Sequence, residues 1–333
     1  MGIQQGARRH WTSKSTRRLS FSPRDLPGRW LIVLAVLGLA ACGTQSPDLE
    51  FHFPIDNPRY SAESGPRVAI DAWHGNFHTV DGRFGPFARL LRDDGYIVDG
   101  LNAPFTAEAL AEVDVLVIAN ALAAENRRRW RLPNHSAFSA EEIEAVRSWV
   151  ENGGALLLIA DHLPFPAAAE ELAAEFGVFF TNGYAQNSEG DRFIVYRRED
   201  GTLLPHPITD GDGASEPVDQ VKVFTGQAFR TLAGVEARPL MVLPEGSRVL
   251  MPSKPRDFGD RTPYVLAEGL LQGAVLEVGR GRIAVFGEAA MFTAQVAITR
   301  KNVMRFGMSA PDAEQNPRFV LNVLHWLSSS GGS

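Results

Sequence analysis

Eight polar residues stand at or just beyond the ends of apolar runs, where buried strands would give way to loops. They are Asp71, His74, Asn76, His78, Asn120, Asp161, His162 and Glu288. Parallel strands end at the same edge of a sheet, and open α/β sheets place their ligand crevices there. If the runs are neighbouring strands, these side chains predict a binding site at the C-terminal edge of the sheet.

Four members of this set could instead hold a divalent metal ion. The candidate ligands are His74, His78, Asp161 and His162. Sites that combine imidazole nitrogens with carboxylates suit zinc, manganese or iron, and such a metal could activate water for hydrolysis. The spacing matches no recognised ligand motif, so direct binding of a small polar ligand stands beside it as an alternative.

Purely structural roles are a further alternative for the same residues. Asp71 and Asp161 could accept hydrogen bonds from backbone N–H groups in the turns after their strands. Glu288 could do the same for the segment that follows it. The two histidines of the first loop, His74 and His78, could cap neighbouring loops.

Alternating strands and helices are expected to position these residues. Apolar runs predict strands at 67–71, 96–101, 113–119 and 155–160, and helical spacing predicts helices at 84–94, from 106, at 138–152 and at 167–176. Ser139 and Glu142 form a capping-box pattern at the start of the third helix. This rhythm predicts a mostly parallel, doubly wound α/β sheet of the flavodoxin-like type.

The C-terminal half departs from that rhythm and predicts added β-hairpins. Phe193–Tyr196 and Thr202–Leu204 flank a tight-turn sequence. Leu271–Val278 and Arg282–Phe286 flank another. A helix over 317–327 with one apolar stripe closes the chain.

Aromatic side chains near the same edge favour a carbohydrate as the ligand. The candidates are Trp73, Phe77, Phe84 and Trp130, because ligand sites combine aromatic walls with a few convergent polar groups. The net charge of −6 gives no electrostatic case for nucleic-acid binding.

The first 41 residues predict an export signal. The apolar run Trp30–Ala41 follows a basic segment and is too short for a comfortable membrane span. It ends in Leu39-Ala-Ala-Cys42-Gly43, which resembles the bacterial lipobox, where the signal is cut before a cysteine that carries lipid. The pair Arg17-Arg18 leaves twin-arginine export open beside the Sec route.

The lipobox resemblance divides the chain into a signal peptide (residues 1–41), a tether (residues 42–66) and a single folded domain (residues 67–328). Cys42 is the only cysteine, so it is the expected lipidation site, and the folded region has no thiol nucleophile. The resemblance implies a lipoprotein of the cell envelope whose partner is the membrane. Gly43 after the cysteine implies the periplasmic side of the outer membrane, in a cell that has one.

The order of elements resembles the class I glutamine amidotransferase-like superfamily, in particular its trehalose-utilisation and gliding-motility branch. The resemblance spans most of residues 67–327 and is carried by the strand 113–119, the sequence Glu151-Asn-Gly-Gly154, His206-Pro-Ile208, Gly281–Glu288 and 316–327. Catalytic members place a cysteine on a glycine-rich elbow after the strand that corresponds to 155–160. Asp161 and His162 take that place here, so the resemblance implies a domain without amidotransferase activity.

Three functions are compatible with these patterns. The first is a binding module for a small polar ligand such as a carbohydrate or cell-wall fragment. The second is a metal-dependent hydrolase that uses His74, His78, Asp161, His162 and Glu288. The third is a structural partner in an envelope complex.

Overall fold

A computed structural model describes residues 45–298 and 302–329 of the chain. Its strands are β1 (Ser46–Pro47), β2 (Arg67–Asp71), β3 (Ile97–Leu101), β4 (Val115–Ala119), β5 (Ala155–Ile159), β6 (Val178–Phe180), β7 (Tyr184–Gln186), β8 (Phe193–Arg197), β9 (Gln220–Phe224), β10 (Phe229–Thr231), β11 (Ala237–Val242), β12 (Arg248–Leu250), β13 (Tyr264–Leu266), β14 (Leu271–Val278), β15 (Gly281–Phe286), β16 (Ala294–Ile298) and β17 (Val303–Gly307). Its α-helices are α1 (Gly85–Asp93), α2 (Ala107–Leu110), α3 (Ala140–Glu151), α4 (Phe165–Glu175), α5 (Pro207–Asp210) and α6 (Asn316–Ser328).

The first half of the described chain follows the predicted alternation of strands and helices. Every residue of β4 and β5 is buried, as expected for apolar strands that are covered on both faces. The predicted capping box begins α3: the Ser139 side chain accepts from the Glu142 N–H, and the Glu142 carboxylate accepts from the Ser139 N–H.

A nine-stranded mixed sheet forms the centre of the fold. Its order is β3-β2-β4-β5-β15-β14-β10-β6, and β11 also pairs with β14. In this order the first five strands, β3-β2-β4-β5-β15, are parallel to one another. All other pairs in the sheet are antiparallel. The predicted hairpin of β14 and β15 is confirmed. Because β5 lies between β4 and β15, the site that follows β5 is central in the sheet.

Alternate residues of the parallel strands pack into two separate cores. In β4, Val115 belongs to the core that contains Leu91 of α1 and Leu324 of α6. The next residue, Leu116, belongs to the core that contains Val146 of α3. Apolar side chains therefore fill both faces of the sheet, and polar side chains converge where the strands end.

Three smaller antiparallel sheets complete the described structure: β1-β16-β17, β13-β12-β7 and β8-β9. The predicted pairing of Phe193–Tyr196 with Thr202–Leu204 is wrong, because β8 pairs with β9. Both strands alternate buried and half-buried residues, so their buried faces match along the whole length. Leu203, beyond the turn, forms an isolated bridge with Met241 instead.

The predicted tether, residues 42–66, requires a correction over its described part. β1 pairs with β16, and the Asp48 carboxylate lies 3.3 Å from the Arg305 guanidinium. Phe51 and Phe53 pack against the first of the two cores. Residues from 45 onward are therefore part of the folded domain. Their apolar side chains pack against its core, although the segment as a whole is polar and contains prolines.

The predicted signal peptide (residues 1–41) and the lipidation site Cys42 lie outside the described residues. Among the residues that are described, no helix combines the length and apolar character needed to cross a bilayer.

Candidate functional site

The carboxyl ends of β4 and β5 open into a small pocket with a volume of about 60 Å³. The pocket is lined by Gln45, Phe77, His78, Asn120, Asp161, His162, Phe165, Phe224, Ala290, Gln295 and Phe306. Half of the predicted site residues thus meet in one place: His78, Asn120, Asp161 and His162. The other four predicted residues are buried outside the pocket lining.

Asn120 presents a hydrogen-bond donor at the end of β4. Its φ of 61° lies in the left-handed region, which asparagine tolerates better than most residues. Its Oδ1 accepts the Asp161 backbone N–H at 2.9 Å. A backbone N–H can only donate, so this bond fixes the amide orientation and leaves Nδ2 as the second polar atom. Nδ2 is buried and has no partner among the described residues.

Gln295 presents an acceptor from β16, and its orientation is fixed in a similar way. The Thr293 hydroxyl donates to the Ala290 carbonyl at 2.8 Å. It can therefore only accept from Gln295, whose Nε2 donates to it at 2.8 Å. Gln295 Oε1 is left buried without a partner in the described part of the chain.

His78 is a neutral histidine held between aromatic rings. Its imidazole stacks on Phe84 with ring centroids 5.0 Å apart and meets Phe77 edge-on at 5.4 Å. Burial lowers the His78 pKa to about 3, and electrostatic interactions with Arg83 and His162 act in the same direction. The ring is therefore neutral at physiological pH, and its Nδ1 is buried with no partner within the described ranges.

Asp161 is the acidic residue of the pocket. Burial raises its pKa, although the His162 charge and the backbone N–H groups of His162, Ala289 and Gly226 oppose that effect. Glu288 is fully buried, and it accepts the N–H groups of Ala290 at 2.7 Å and Met291 at 2.8 Å. Burial, and then the charge of Asp161, raise the Glu288 pKa well above its usual value.

This arrangement confirms the capping alternative for Glu288, which satisfies the turn after β15. Two buried carboxyl groups with raised pKa values resist carrying two negative charges together. A proton is therefore retained in this part of the site at pH values where isolated carboxyl groups would have lost theirs.

His162 connects the pocket to the elbow after β5. Its backbone N–H donates to the Asp161 carboxylate at 2.7 Å. Its Nδ1 lies 2.9 Å from the Leu163 carbonyl, which can only accept, so Nδ1 carries the hydrogen. The ring stacks on Tyr184 with centroids 4.5 Å apart.

Aromatic side chains form one wall of the pocket. Phe77 and Phe165 line the pocket with ring centroids 5.6 Å apart, and Trp130 packs edge-on against both from outside the lining, at 5.1 and 5.0 Å. Phe84 lies behind His78 and is fully buried. Trp73 does not join this wall, because its side chain is 51% exposed and is not part of the lining.

The remaining predicted residues form a second polar cluster at the same edge. His74 bridges two carboxylates: its Nδ1 lies 3.0 Å from Asp71, and its Nε2 lies 2.8 Å from Glu142. Asp71 also accepts from the Asn76 amide at 2.5 Å and from the Trp73 backbone N–H at 3.0 Å. Burial lowers the His74 pKa, but Asp71 and Glu142 outweigh burial and raise it.

This second cluster leaves little capacity for a ligand. The Asn76 Oδ1 accepts the Ala119 backbone N–H at 2.9 Å, so the cluster ties the loop after β2 to β4. The His74 ring packs between Phe105 and Phe138, with centroids 4.4 and 4.8 Å away. Asp71 accepts backbone N–H groups in the turn after β2, as its structural alternative predicts, and the His74 and Asn76 side chains also bond to its carboxylate.

The geometry also bears on the predicted metal ligands. Both ring nitrogens of His74 are engaged by carboxylates, and His74 does not line the pocket. Over residues 45–298 and 302–329, no group of three or more His, Cys, Asp or Glu side chains is arranged to hold a metal ion. The zinc, manganese or iron site stays a prediction from the sequence.

Sequence reasoning missed several pocket residues: Gln45, Phe165, Phe224, Ala290, Gln295 and Phe306. Some of them reach the pocket through antiparallel pairings between distant segments, such as β1 with β16 and β8 with β9. No local sequence motif predicts such pairings.

Comparison with known families and curated proteins gives no match: no family model and no curated protein matches the sequence. Solved structures do match in fold. The N-terminal domain of mmIFT52 aligns with a TM-score of 0.55 and 14% identity, over 80% of this chain and 99% of that domain. At this identity the likeness shows a shared fold only.

Two further solved structures are similar at lower TM-scores. A ThuA-like protein from Bacteroides uniformis aligns at 0.45 with 14% identity, over 84% of this chain and 96% of that one. Cytoplasmic protein STM3548 from Salmonella typhimurium aligns at 0.46 with 16% identity, over 79% and 98%. ThuA-like proteins are therefore among the structural neighbours of this mixed α/β fold.

Proposed function

We propose that this protein is a binding module that recognises one polar group of a small ligand in the pocket at the ends of β4 and β5. The observation that carries the proposal is the set of unpartnered atoms: Asn120 Nδ2, Gln295 Oε1 and His78 Nδ1. A buried polar atom without a partner costs about 1–3 kcal/mol. A ligand that pairs with all three would remove that cost.

The three atoms define what the ligand group must offer. Asn120 donates and Gln295 accepts, so the group needs both an acceptor and a donor. Ligand pockets for whole drug-sized molecules span about 300–1,000 Å³, whereas this one measures about 60 Å³. One hydroxyl or acetamido substituent fits that volume, and the rest of the ligand would lie outside against the aromatic wall.

A carbohydrate or cell-wall fragment satisfies these requirements best. Sugars carry hydroxyl and acetamido groups, and their apolar faces pack on aromatic rings such as those of Phe77 and Trp130, which are half-buried. The neutral His78 suits an uncharged polar group. The buried Asp161 disfavours a ligand that would bring a second negative charge into the pocket.

The proposed setting is the cell envelope. We infer a doubly wound, flavodoxin-like domain of the glutamine amidotransferase-like superfamily, with Asp161 and His162 at the position of the catalytic cysteine. The lipobox supports lipid attachment at Cys42, removal of residues 1–41, and a location on the periplasmic side of the outer membrane. In this proposal the membrane partner is reached through that lipid, and the ligand through the pocket.

The metal-dependent hydrolase and the structural envelope partner stay predictions from the sequence. The hydrolase needs His74 beside His78 and His162, whereas His74 is bridged by Asp71 and Glu142 in the second cluster. No contact in the described structure favours either alternative over ligand binding.

Calorimetric titration with sugars tests the proposal. The probes are N-acetylglucosamine, N-acetylmuramic acid and glucose, added to the full chain. We expect saturable binding of at least one of them. Gln295→Met should weaken this binding about tenfold, because the variant loses one hydrogen bond to the ligand. Asn102→Ala, at an exposed asparagine, is the matched control and should bind like the unmodified protein. Unchanged binding in Gln295→Met would contradict the proposal.

A further inference from the structure

The hairpin of β16 and β17 exposes apolar side chains beside the point where the N-terminal segment joins the fold. Ile298 is 66% exposed, Val303 is 50% exposed and Met304 is 40% exposed. These three residues stand at the end of the hairpin where the two strands connect. Solvated apolar patches of this kind mark contacts with proteins or membranes.

The register of β1 directs the N-terminal segment towards that end of the hairpin. Ser46 pairs with Val296, and Pro47 pairs with Gln295, in antiparallel sense. Going from Pro47 back to Ser46 therefore runs in the same direction as going from Gln295 towards Ile298. The chain enters this sheet from the side that carries the exposed apolar residues.

The distance to the predicted lipid site is short. Ser46 follows Cys42 by four positions in the sequence, and a fully extended chain spans at most about 3.6 Å per residue. The sulfur-bearing residue therefore lies within about 14 Å of Ser46 along the chain. A lipid on Cys42 would therefore keep this small sheet within about 14 Å of the bilayer surface.

We propose that Ile298, Val303 and Met304 form a membrane-docking patch that enters the bilayer interface when Cys42 carries lipid. This inference rests on the lipid anchoring put forward under the proposed function. Apolar side chains gain free energy in the headgroup–acyl boundary, to which they penetrate about 5–10 Å. The pocket would then lie near the membrane, because Gln295 and Phe306 of the same small sheet line it, together with Gln45 just before β1.

A second exposed apolar strand supplies an internal control. β13 is an edge strand with Tyr264 56%, Val265 40% and Leu266 77% exposed. It belongs to a different sheet, which does not contain the N-terminal segment. If exposed apolar side chains were sufficient for membrane contact wherever they lie on the domain, β13 would enter the bilayer as well.

Site-specific fluorescence on the lipidated mature protein, which begins at Cys42, tests the proposal in vesicles of phosphatidylethanolamine and phosphatidylglycerol. Val303→Cys and Val265→Cys would each carry an environment-sensitive dye, since lipid blocks the chain's own cysteine. A lipid-borne quencher should remove about half or more of the emission at position 303, because the dye lies at the interface. Position 265 should lose little. Ile298→Cys is the substitute if Val303→Cys fails to fold, as judged by circular dichroism.

Two other outcomes would overturn the docking patch. Equal quenching at both positions in membrane-bound protein would show that the hairpin has no special contact with lipid. In another outcome, the lipid-borne quencher leaves the dye at position 303 unchanged, yet the dye reports an apolar environment that is lost when the protein is diluted. That result would show that a second copy of the chain covers the patch. The mass of the N-terminal peptide and vesicle flotation report lipid attachment separately, so failure of anchoring is distinguishable from failure of docking.

Discussion

Two polar clusters lie at the same edge of the sheet, and they differ in whether their polar atoms are satisfied. In the cluster around His74, both ring nitrogens face carboxylates, and Asp71 receives several donors. In the pocket, Asn120, His78 and Gln295 each keep one buried polar atom without a partner in the described structure. Similar residue types, a few positions apart in the sequence, therefore differ in whether their buried polar atoms have hydrogen-bond partners.

The comparison shows that residue type and position at a strand end do not by themselves define a site. A satisfied cluster stabilises the loops that carry it, whereas buried polar atoms without partners lower stability unless something binds to them. The two histidines illustrate this contrast: neighbouring charges raise the pKa of His74, whereas burial lowers that of His78 to about 3.

Asp71→Ala should have the largest effect. The substitution removes the acceptor for His74, Asn76 and the Trp73 N–H and leaves buried donors unpaired. Breaking a buried pair in this way lowers the free energy of unfolding by about 3–5 kcal/mol. Denaturant titration measures the change. Asp99→Ala, where an exposed carboxylate lies 4.0 Å from Arg67, should cost less than about 1 kcal/mol. Equal losses in the two variants would remove the distinction on which the comparison depends.

The two histidines should give stability opposite dependences on pH. The His74 pKa is raised in the folded state, so its contribution is fully present below about pH 6.5 and is lost as the pH rises through the folded pKa. The His78 pKa is lowered to about 3, so burying the neutral ring costs stability as the pH falls from about 6.5 towards that value.

Unfolding measurements across this range on the unmodified protein, His74→Gln and His78→Gln separate the two contributions. The stability advantage of the unmodified protein over His74→Gln should shrink as the pH rises. Its advantage over His78→Gln should shrink as the pH falls. The same trend in both variants would contradict the assigned environments.

Gln295→Met should separate stability from binding. The variant keeps the shape of the side chain but loses the Nε2 bond to Thr293, at a cost of about 0.5–1.5 kcal/mol. Removal of the unpartnered Oε1 offsets part of that cost. Its effect on sugar affinity should therefore exceed its effect on thermal unfolding when both are expressed as free energies.

His78→Phe should have the smallest effect on stability. Phenylalanine can keep the stacking on Phe84, and it removes a buried nitrogen that has no partner among the described residues. The free energy of unfolding should change by less than about 1 kcal/mol, in either direction. His74→Phe is the matched substitution and should be clearly destabilising, because Asp71 and Glu142 would lose their shared partner. A destabilised His78→Phe would assign His78 to the scaffold.

The parallel half of the fold could be predicted from the sequence, because each of its elements carries a local signal. The buried run of β5, the capping box of α3 and the polar residues after β2, β4 and β5 all lie where the patterns place them. Asp161 and His162 follow β5 directly, so the same signals place them at the carboxyl end of a central strand.

The antiparallel half could not be predicted in the same way. The pairing of β8 with β9 joins segments more than twenty residues apart, and the turn near Asp200 favoured a nearer partner. Gln295 reaches the pocket from β16, which pairs with β1 across most of the chain. Glu142 was recognised as a capping residue, but its second role as the partner of His74 depends on packing that periodicity does not encode.

A crystal structure of the full chain soaked with N-acetylglucosamine tests the central claim most directly. The account predicts that one substituent of the sugar occupies the pocket, accepts from Asn120 Nδ2 and donates to Gln295 Oε1, with the sugar ring against the half-buried Phe77 and Trp130. A pocket that holds only ordered water at a saturating sugar concentration, with the sugar bound elsewhere or not at all, would contradict it.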